Sequence, residues 1–178
     1  PELAMAVLLH DIGKPPTFSQ TDRIRFNGHA TLGAQMAEAI CRRLRFSNKQ
    51  IAQIVDLVGE HLRFMHVQEM RESKRKRFFR KENFADHLEL HRLDCLASHG
   101  NLDNWEYSLR KLEEYGSEEI HPPSLLGGDD LIAMGYKPGP RFKEILTAVE
   151  DAQLEGRIRT KEEARGLVRA HFPLDASM

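Results

Sequence analysis

The chain has 178 residues, and its 26 lysines and arginines nearly balance its 27 aspartates and glutamates. This length suits one large domain, or one domain with a small appendage, and it buries a core without disulfides. The near-neutral charge indicates no anionic partner for the molecule as a whole, and the longest apolar run, residues 3–9, is too short to cross a membrane. Cys41 and Cys95 lie in apolar helical patterns, which predicts core residues in a reducing compartment, and we expect a cytoplasmic protein.

Most long segments follow the 3.6-residue period of an α-helix, and none alternates convincingly with a period of two. The sequence therefore predicts an all-α fold. Residues 1–12 are apolar nearly all round, which predicts a central buried helix that ends at Gly13 and the prolines after it. The next predicted helices cover residues 29–45, the segment opened by a capping box of Ser47 and Gln50, residues 83–98 with Asn83 as N-cap, and residues 102–115.

The best candidate for a domain boundary is an acidic, proline-containing joint at residues 113–123. We predict a helical domain over residues 1–119 and a small helical module over residues 120–178. Within the module, a Lys-Pro-Gly-Pro turn at residues 137–140 precedes a helix that Gly156 closes, and Thr160 with Glu163 caps the last helix.

A His-Asp pair, His10 and Asp11, stands at the end of the first predicted helix, in the stretch AVLLHDIGKPP. The C-terminal end of a helix carries partial negative charge and favours a cation. Imidazole and carboxylate are good ligands for a borderline divalent ion. Taken alone, the dipeptide equally fits a core histidine followed by an aspartate that caps the next loop.

A polar stripe on the predicted helix at residues 83–98 favours the metal interpretation. Its members share one face and are flanked by apolar residues on both sides: His87, His91, Asp94 and Ser98. Burying such groups without partners costs a few kcal/mol each, so a side chain, a water molecule or a metal must satisfy them.

Two further histidines point inward by the same periodicity. His61 follows Ile54 and Val58 at helical spacing, and His29 shares a face with Leu32. The His10–Asp11 pair, His29, His61 and Asp94 are thus four inward-facing polar sites on four predicted helices. Such a set favours a metal or phosphate site over a purely structural hydrogen-bond network.

Several motifs resemble the HD-domain superfamily of metal-dependent phosphohydrolases. They are HDIGK at 10–14, RFNGHATLGA at 25–34, LVGEHL at 57–62 and LHRLDCLASHG at 90–100. Together with the tail (GDDLI at 128–132, the Pro-Gly-Pro turn, QLEG at 153–156 and TKEEA at 160–164), they resemble the C-terminal half of bacterial tRNA nucleotidyltransferases and poly(A) polymerases. This resemblance covers most of the chain and implies an HD-type helical core.

The resemblance also implies roles for individual residues. His10 and Asp11 match the HD pair, Asp94 matches the distal aspartate ligand, and His29 and His61 match histidines that add ligands or phosphate contacts. The implied cofactor is a divalent metal, with Mg, Mn, Ni and Zn not distinguished. Lys14 matches a lysine that meets a substrate phosphate, which makes Asp11 and Lys14 the candidate catalytic residues.

Two departures from the family pattern concern the start of the chain. The family's first histidine ligand lies a helix upstream of the HD pair, and the nucleotidyltransferase head has no counterpart here. We therefore expect a C-terminal piece of a larger enzyme, with a metal site that lacks one ligand.

A basic run, RESKRKRFFRK at residues 71–81, contains Glu72 as its only acid. Such a run attracts phosphate backbones, while Phe78 and Phe79 either stack on bases or anchor a solvated loop to the core. The resemblance favours RNA binding, because the corresponding half of those enzymes holds RNA. The candidate RNA-binding residues are Arg71, Lys74, Arg75, Lys76, Arg77, Arg80 and Lys81, with Lys137 and Arg141 beside the Pro-Gly-Pro turn.

The sequence thus predicts the half of a tRNA nucleotidyltransferase or poly(A) polymerase-like enzyme that holds and positions the 3′ end of a tRNA, with no membrane partner. One alternative is a metal-dependent phosphohydrolase or phosphodiesterase acting on phosphate esters or cyclic nucleotides through His10, Asp11 and Asp94. A third is an HD fold with purely structural histidines. CCA addition or poly(A) addition, and the oligomeric state, stay open.

Overall fold

The computed structural model describes residues 1–174, apart from the side chains of Ser117 and Glu118. Over this range the fold is all-α apart from one two-stranded antiparallel hairpin, which confirms the predicted class. The elements in chain order are α1 (Glu2–Leu9), β1 (Ser19–Gln20), β2 (Ile24–Arg25), α2 (His29–Arg43), α3 (Asn48–Glu60), α4 (Glu72–Phe79), α5 (Phe84–Ser98), α6 (Asp103–Glu114), α7 (Ser117–Ile120), α8 (Gly128–Ala133), α9 (Pro140–Leu154) and α10 (Lys161–His171). Short 3₁₀ turns occupy Pro15–Thr17 and His61–His66.

The chain divides into two compact units, one of Pro1–Glu69 with Lys81–Lys111, the other of Met70–Arg80 with Leu112 onward. These units place residues 70–80 and 112–119 differently from the division predicted at residue 119. The reason is that residues 71–81 are not a surface loop: most of them form α4, which packs on α9 within the second unit.

The core of the first unit is built by α1, α2, α3 and α5. Its buried residues are Ala6, Leu9, Ala37, Cys41, Ile51, Ile54, Leu57, Val58 and Leu90. The expectation that the first helix is buried all round is wrong. Leu8 is 75% exposed, and α1 ends at Leu9 instead of Ile12.

Two predicted N-caps of the first unit differ in their outcome. The capping box at α3 is confirmed, since the Ser47 hydroxyl accepts from the Gln50 backbone N–H and the Gln50 side chain accepts from the Ser47 N–H. Asn83 does stand at the N-cap position of α5, but its side chain makes no capping bond and donates to Asp56 instead. The start of α5 is thereby tied to α3.

The second unit has its own core, formed largely by α8, α9 and α10. Its buried residues are Leu126, Leu131, Tyr136, Ile145, Val149, Ala152, Ile158, Ala164 and Val168. The predicted capping box of Thr160 and Glu163 opens α10, and Pro140 begins α9. Within the described part of the chain, no helix reaches the length and apolarity that a membrane crossing requires.

Candidate functional site

The turn that follows α1 brings the His-Asp pair against the first turn of α2. His10 is the C-cap of α1, and Asp11 starts the turn. A Cβ atom on Gly13 would lie 2.1 Å from the carbonyl oxygen of His29 and 2.8 Å from the Gly33 nitrogen. Only glycine therefore permits this approach of the two backbones. The consequence is that Asp11 lies beside His29.

Three histidines of the first unit share one mode of anchoring, in which Nδ1 hydrogen-bonds the carbonyl oxygen three residues earlier. These bonds run from His10 to Val7 (2.9 Å), from His29 to Phe26 (2.8 Å) and from His61 to Val58 (2.7 Å). A carbonyl oxygen only accepts, so Nδ1 donates in each of these bonds and Nε2 is the ring nitrogen that is left to face a ligand. Metal-binding histidines are commonly oriented by such outer hydrogen bonds.

The free Nε2 atoms converge. Those of His29 and His61 are 3.3 Å apart, and Oδ1 of Asp11 lies 3.6 Å from the first and 3.9 Å from the second. The three ligand atoms all lie within 4.8 Å of one another. Two lone pairs facing each other at this distance repel unless a proton or a cation lies between them. This donor set suits a borderline divalent ion.

The remaining predicted ligands adjoin the same point. His10 Nε2 lies 3.4 Å from Oδ2 of Asp11 and 3.5 Å from Oδ1 of Asp94, which α5 supplies. We call His10, Asp11, His29, His61 and Asp94 the His–Asp cluster. The structure brings all five predicted residues together, and their role as ligands stays a prediction.

Lys14 closes one side of the cluster, where its ammonium donates to Oδ2 of Asp11 at 2.6 Å. Burial acts to raise the pKa of Asp11, but the hydrogen bond from Lys14 and the nearby His10 outweigh it, and the pKa is lowered. Burial lowers the pKa of His61. Both shifts favour an ionised carboxylate and a neutral imidazole, the protonation states that a metal ligand requires.

The rest of the predicted stripe on α5 lies outside the cluster. His87 hydrogen-bonds Oδ2 of Asp56 through Nε2 at 2.8 Å. The His91 ring stacks on Phe64 with centroids 4.7 Å apart, and its nitrogens approach the Cys95 sulfur at 3.6 and 3.7 Å. Of the stripe, only Asp94 reaches the cluster, and the two buried histidines take part in packing and hydrogen bonding.

The sequence predicts that the basic run is an exposed patch with Glu72 as its only acidic partner. The structure differs from this prediction. Arg75 and Lys76 are buried, at 9% and 5% exposure. Arg75 donates to the Tyr115 hydroxyl at 2.9 Å, and Lys76 to the Leu154 carbonyl oxygen at 2.9 Å. Both side chains are thus occupied within the fold, and their assignment as phosphate ligands stays a prediction.

Acids on and just after α9 neutralise three further arginines of the run. Arg77 binds Glu150 and Asp151, Arg80 binds Glu150, and Arg71 binds Glu155. The hydrogen bond from Arg71 holds the pKa of Glu155 at about 2. These ion pairs could not be predicted from the local sequence, because the acidic residues lie some 70 to 84 residues downstream of the arginines.

The other candidates for RNA binding are disposed differently. Lys81 is half-buried and pairs with Asp56 at 2.6 Å. Lys74, Lys137 and Arg141 are exposed, and Arg141 donates to the Pro173 carbonyl oxygen at 2.9 Å. Binding of RNA by these residues stays a prediction.

The two phenylalanines of the run are buried, with Phe78 at 0% and Phe79 at 4% exposure. The Phe79 ring packs on Tyr115 with centroids 6.2 Å apart. Of the two alternatives, the structure therefore shows the anchoring one. Rings buried in this way are not available for stacking on bases.

Comparison with known proteins agrees with the motifs. A family model described as tRNA nucleotidyltransferase domain 2 matches residues 29–165. The CC-adding tRNA nucleotidyltransferase of Thermus thermophilus is 35% identical over 94% of this chain, and the A-adding tRNA nucleotidyltransferase of Deinococcus radiodurans is 34% identical over 94%. The matched regions are 39% and 41% of those relatives, so the chain spans about two-fifths of their length. No solved structure matches.

Proposed function

The chain belongs to the tRNA nucleotidyltransferase family, and we propose that it holds and positions the 3′ end of a tRNA for nucleotide addition. The observation that carries this proposal is the match, over nearly the whole chain, to relatives named for adding C or A to tRNA.

The structure narrows the surface that we propose for RNA. Arg75 and Lys76 are buried. At the start of α9, in the second unit, two of the cations that we predict to bind RNA are exposed, Lys137 and Arg141. The first turn of a 15-residue helix adds backbone N–H groups and the positive end of its dipole. Lys143, also exposed, lies in the same first turn, two residues after Arg141. We assign tRNA phosphates to this group of cations.

Binding of a tRNA without its CCA end, measured over a range of salt concentrations, tests this assignment. Each lost phosphate contact should flatten the log–log salt slope by roughly 0.7 to 0.9. We expect that flattening in Lys137→Ala and Arg141→Ala. The matched control is Lys161→Ala, which removes an exposed cation already paired with Asp130 at 3.4 Å. Unchanged slopes in both test variants would contradict the assignment.

We also propose that the His–Asp cluster holds a divalent cation, with Asp11, His29 and His61 as its nearest ligands. The support is that the Nε2 atoms of His29 and His61 and a carboxylate oxygen of Asp11 lie within 4.8 Å of one another, with His10 placed between Asp11 and Asp94 beside them. A cation bound there would polarise a phosphoryl oxygen and acidify a water molecule. Lys14 holds Asp11 in place and presents positive charge to a phosphate at the edge of the cluster.

The alternative of an independent phosphohydrolase is not favoured, because the relatives carry nucleotide-adding names. Hydrolysis of bis(4-nitrophenyl) phosphate and of 2′,3′-cyclic nucleotides, with Mg²⁺, Mn²⁺, Ni²⁺ or Zn²⁺ supplied in turn, should be slow or absent. Fast metal-dependent turnover that Asp11→Asn abolishes would make hydrolysis the primary function.

A further inference from the structure

The hairpin between α1 and α2 places two aromatic rings opposite each other. Ser19 pairs with Arg25 in the register of β1 and β2, so Phe18 lies across from Phe26. The ring centroids are 6.0 Å apart and the ring planes are tilted by 54°. Phe18 is 52% exposed. The pair therefore presents an aromatic face to solvent.

This aromatic pair is joined to the His–Asp cluster by two contacts. The carbonyl oxygen of Phe26 accepts the Nδ1–H of His29. The Lys14 ammonium lies 5.8 Å from the centroid of the Phe26 ring and 2.6 Å from Oδ2 of Asp11. Within the first unit, the aromatic pair therefore lies beside the Lys14 ammonium group, and this ammonium group contacts the His–Asp cluster.

The hairpin carries a further exposed cation, Arg23, in its turn, but Lys14 is the cation that lies beside the Phe26 ring and also contacts the cluster. Arg25 is held by Asp22 through two hydrogen bonds, of 2.7 and 2.8 Å, which leaves that pair with no net charge. Lys14 is only partly buried, and the cation proposed for the cluster would draw Asp11 and release the ammonium for an incoming phosphate. A flat apolar ring beside a positive group matches a ligand with a base at one end and a phosphate at the other.

We propose that Phe18, Phe26 and Lys14 form a nucleotide subsite, in which a base stacks on the exposed Phe18 ring while its phosphate lies at Lys14 and faces the His–Asp cluster. Only the phosphate end of this proposal rests on the proposed cation. The nucleotide is either the last residue of an RNA strand or a free nucleotide, since both present the same base and phosphate.

The test uses 2-aminopurine, whose fluorescence falls when the base stacks. The probes are its riboside, its ribonucleoside 5′-monophosphate and a short oligoribonucleotide that ends in it. Each is titrated with the 178-residue chain, with and without Mn²⁺. Saturable quenching by the chain is expected. Phe18→Ala should weaken binding by about fivefold or more. Phe18→Tyr, which keeps a ring, should bind like the parent.

The matched control is Ile24→Ala, which removes a 55% exposed apolar side chain without a ring from the same hairpin. It should leave the quenching unchanged. Equal losses in Ile24→Ala and Phe18→Ala would show a non-specific apolar surface and overturn the proposal, as would unchanged binding by Phe18→Ala. Circular dichroism of each variant confirms folding, and the Tyr and Ala variants are compared only where both fold.

The design separates this inference from the proposed cation site. If Mn²⁺ does not bind, Phe18-dependent quenching of the riboside still supports the stacking half, and the phosphate half fails. If Mn²⁺ binds but none of the three probes is quenched, the subsite is wrong and the cation site stands. Quenching of the oligonucleotide alone identifies an RNA end as the ligand, and quenching of the monophosphate alone identifies a free nucleotide.

Discussion

The Nε2 atoms of His29 and His61 face each other at 3.3 Å, while Nδ1 of each ring donates to a backbone carbonyl oxygen. A divalent cation between the rings removes the repulsion of their lone pairs, so we expect binding to stabilise the fold. A ligand at 100 times its Kd adds about 2.7 kcal/mol to the free energy of unfolding. The measurement is the Tm of the chain with a chelator and with saturating Mn²⁺, Ni²⁺ or Zn²⁺.

A pair of histidine variants shows whether this stabilisation comes from the cluster. His61→Gln should weaken cation affinity by more than the roughly 10- to 100-fold that loss of an outer hydrogen-bond partner costs. His66→Gln is the control, since that side chain belongs to the same unit and is 72% exposed. An equal rise of Tm in both variants would place the cation elsewhere.

A methyl group at Gly13 should disrupt the cluster. Since the added Cβ atom would lie 2.1 Å from the His29 carbonyl oxygen, Gly13→Ala must push the turn after α1 away from α2. Overpacking of this kind costs about 1–3 kcal/mol of stability, and the displacement of Asp11 should also weaken cation binding. Isothermal titration with Mn²⁺ and urea unfolding measure the two effects.

Gly166→Ala is the matched control, because it lies within α10 and a Cβ atom there would meet nothing within 4 Å. Replacing a glycine inside a helix by alanine is expected to stabilise by roughly 0.5–1 kcal/mol. A Gly13→Ala variant that binds Mn²⁺ and unfolds like the parent would refute the close approach of the two backbones.

Truncation of two neighbouring lysines of the basic run should change stability by different amounts. Burial acts to lower the pKa of Lys76, but hydrogen bonds to Glu72 and Glu119 outweigh it and raise the pKa. Lys76→Ala removes these bonds and the one to Leu154, which should cost about 1–3 kcal/mol in urea unfolding. Lys74→Ala, at an exposed position two residues away, should change stability by less than about 0.5 kcal/mol. Similar stabilities for the two variants would contradict the burial of Lys76.

The helices of the fold were predictable because most depend on local signals. The capping boxes at Ser47 and Thr160 and the stop after Leu154 need only a few neighbouring residues. The hairpin was missed, because strands of two residues are too short to show alternation. The burial of α1 was overestimated, because an apolar composition does not show which side of a helix meets the core.

The His–Asp cluster was predictable in its membership but not in its geometry. Motif resemblance and inward periodicity named the five residues, whereas the carbonyl partners of the histidines are backbone atoms that no sequence pattern marks. The basic run shows the opposite limit. Its charge density predicted a phosphate surface, and only the fold shows that Glu150, Asp151 and Glu155 neutralise it.

Buried histidines should make the fold less stable in mild acid. Burial lowers the pKa of His61, and it lowers the pKa of His87 and His91 as well. Below the ordinary histidine pKa of about 6.5, the unfolded chain then binds more protons than the folded chain. The contribution of these groups is therefore complete above about pH 6.5, and it is lost as the pH falls toward the lower pKa of the folded state.

His91 allows this to be measured on one group, because its ring stacks on Phe64 and lies outside the His–Asp cluster. A single histidine changes the free energy of unfolding by at most about 1.4 kcal/mol per pH unit. Urea unfolding in the presence of a chelator, at pH 7.5 and at pH 5.5, gives the slope for the chain and for His91→Gln. The variant lacks the packing of the His91 ring at both pH values, and it has no titrating group at position 91. Its free energy of unfolding should therefore fall less steeply as the pH is lowered. A slope that His91→Gln leaves unchanged would mean that His91 titrates alike in the folded and unfolded chains, against the effect of its burial.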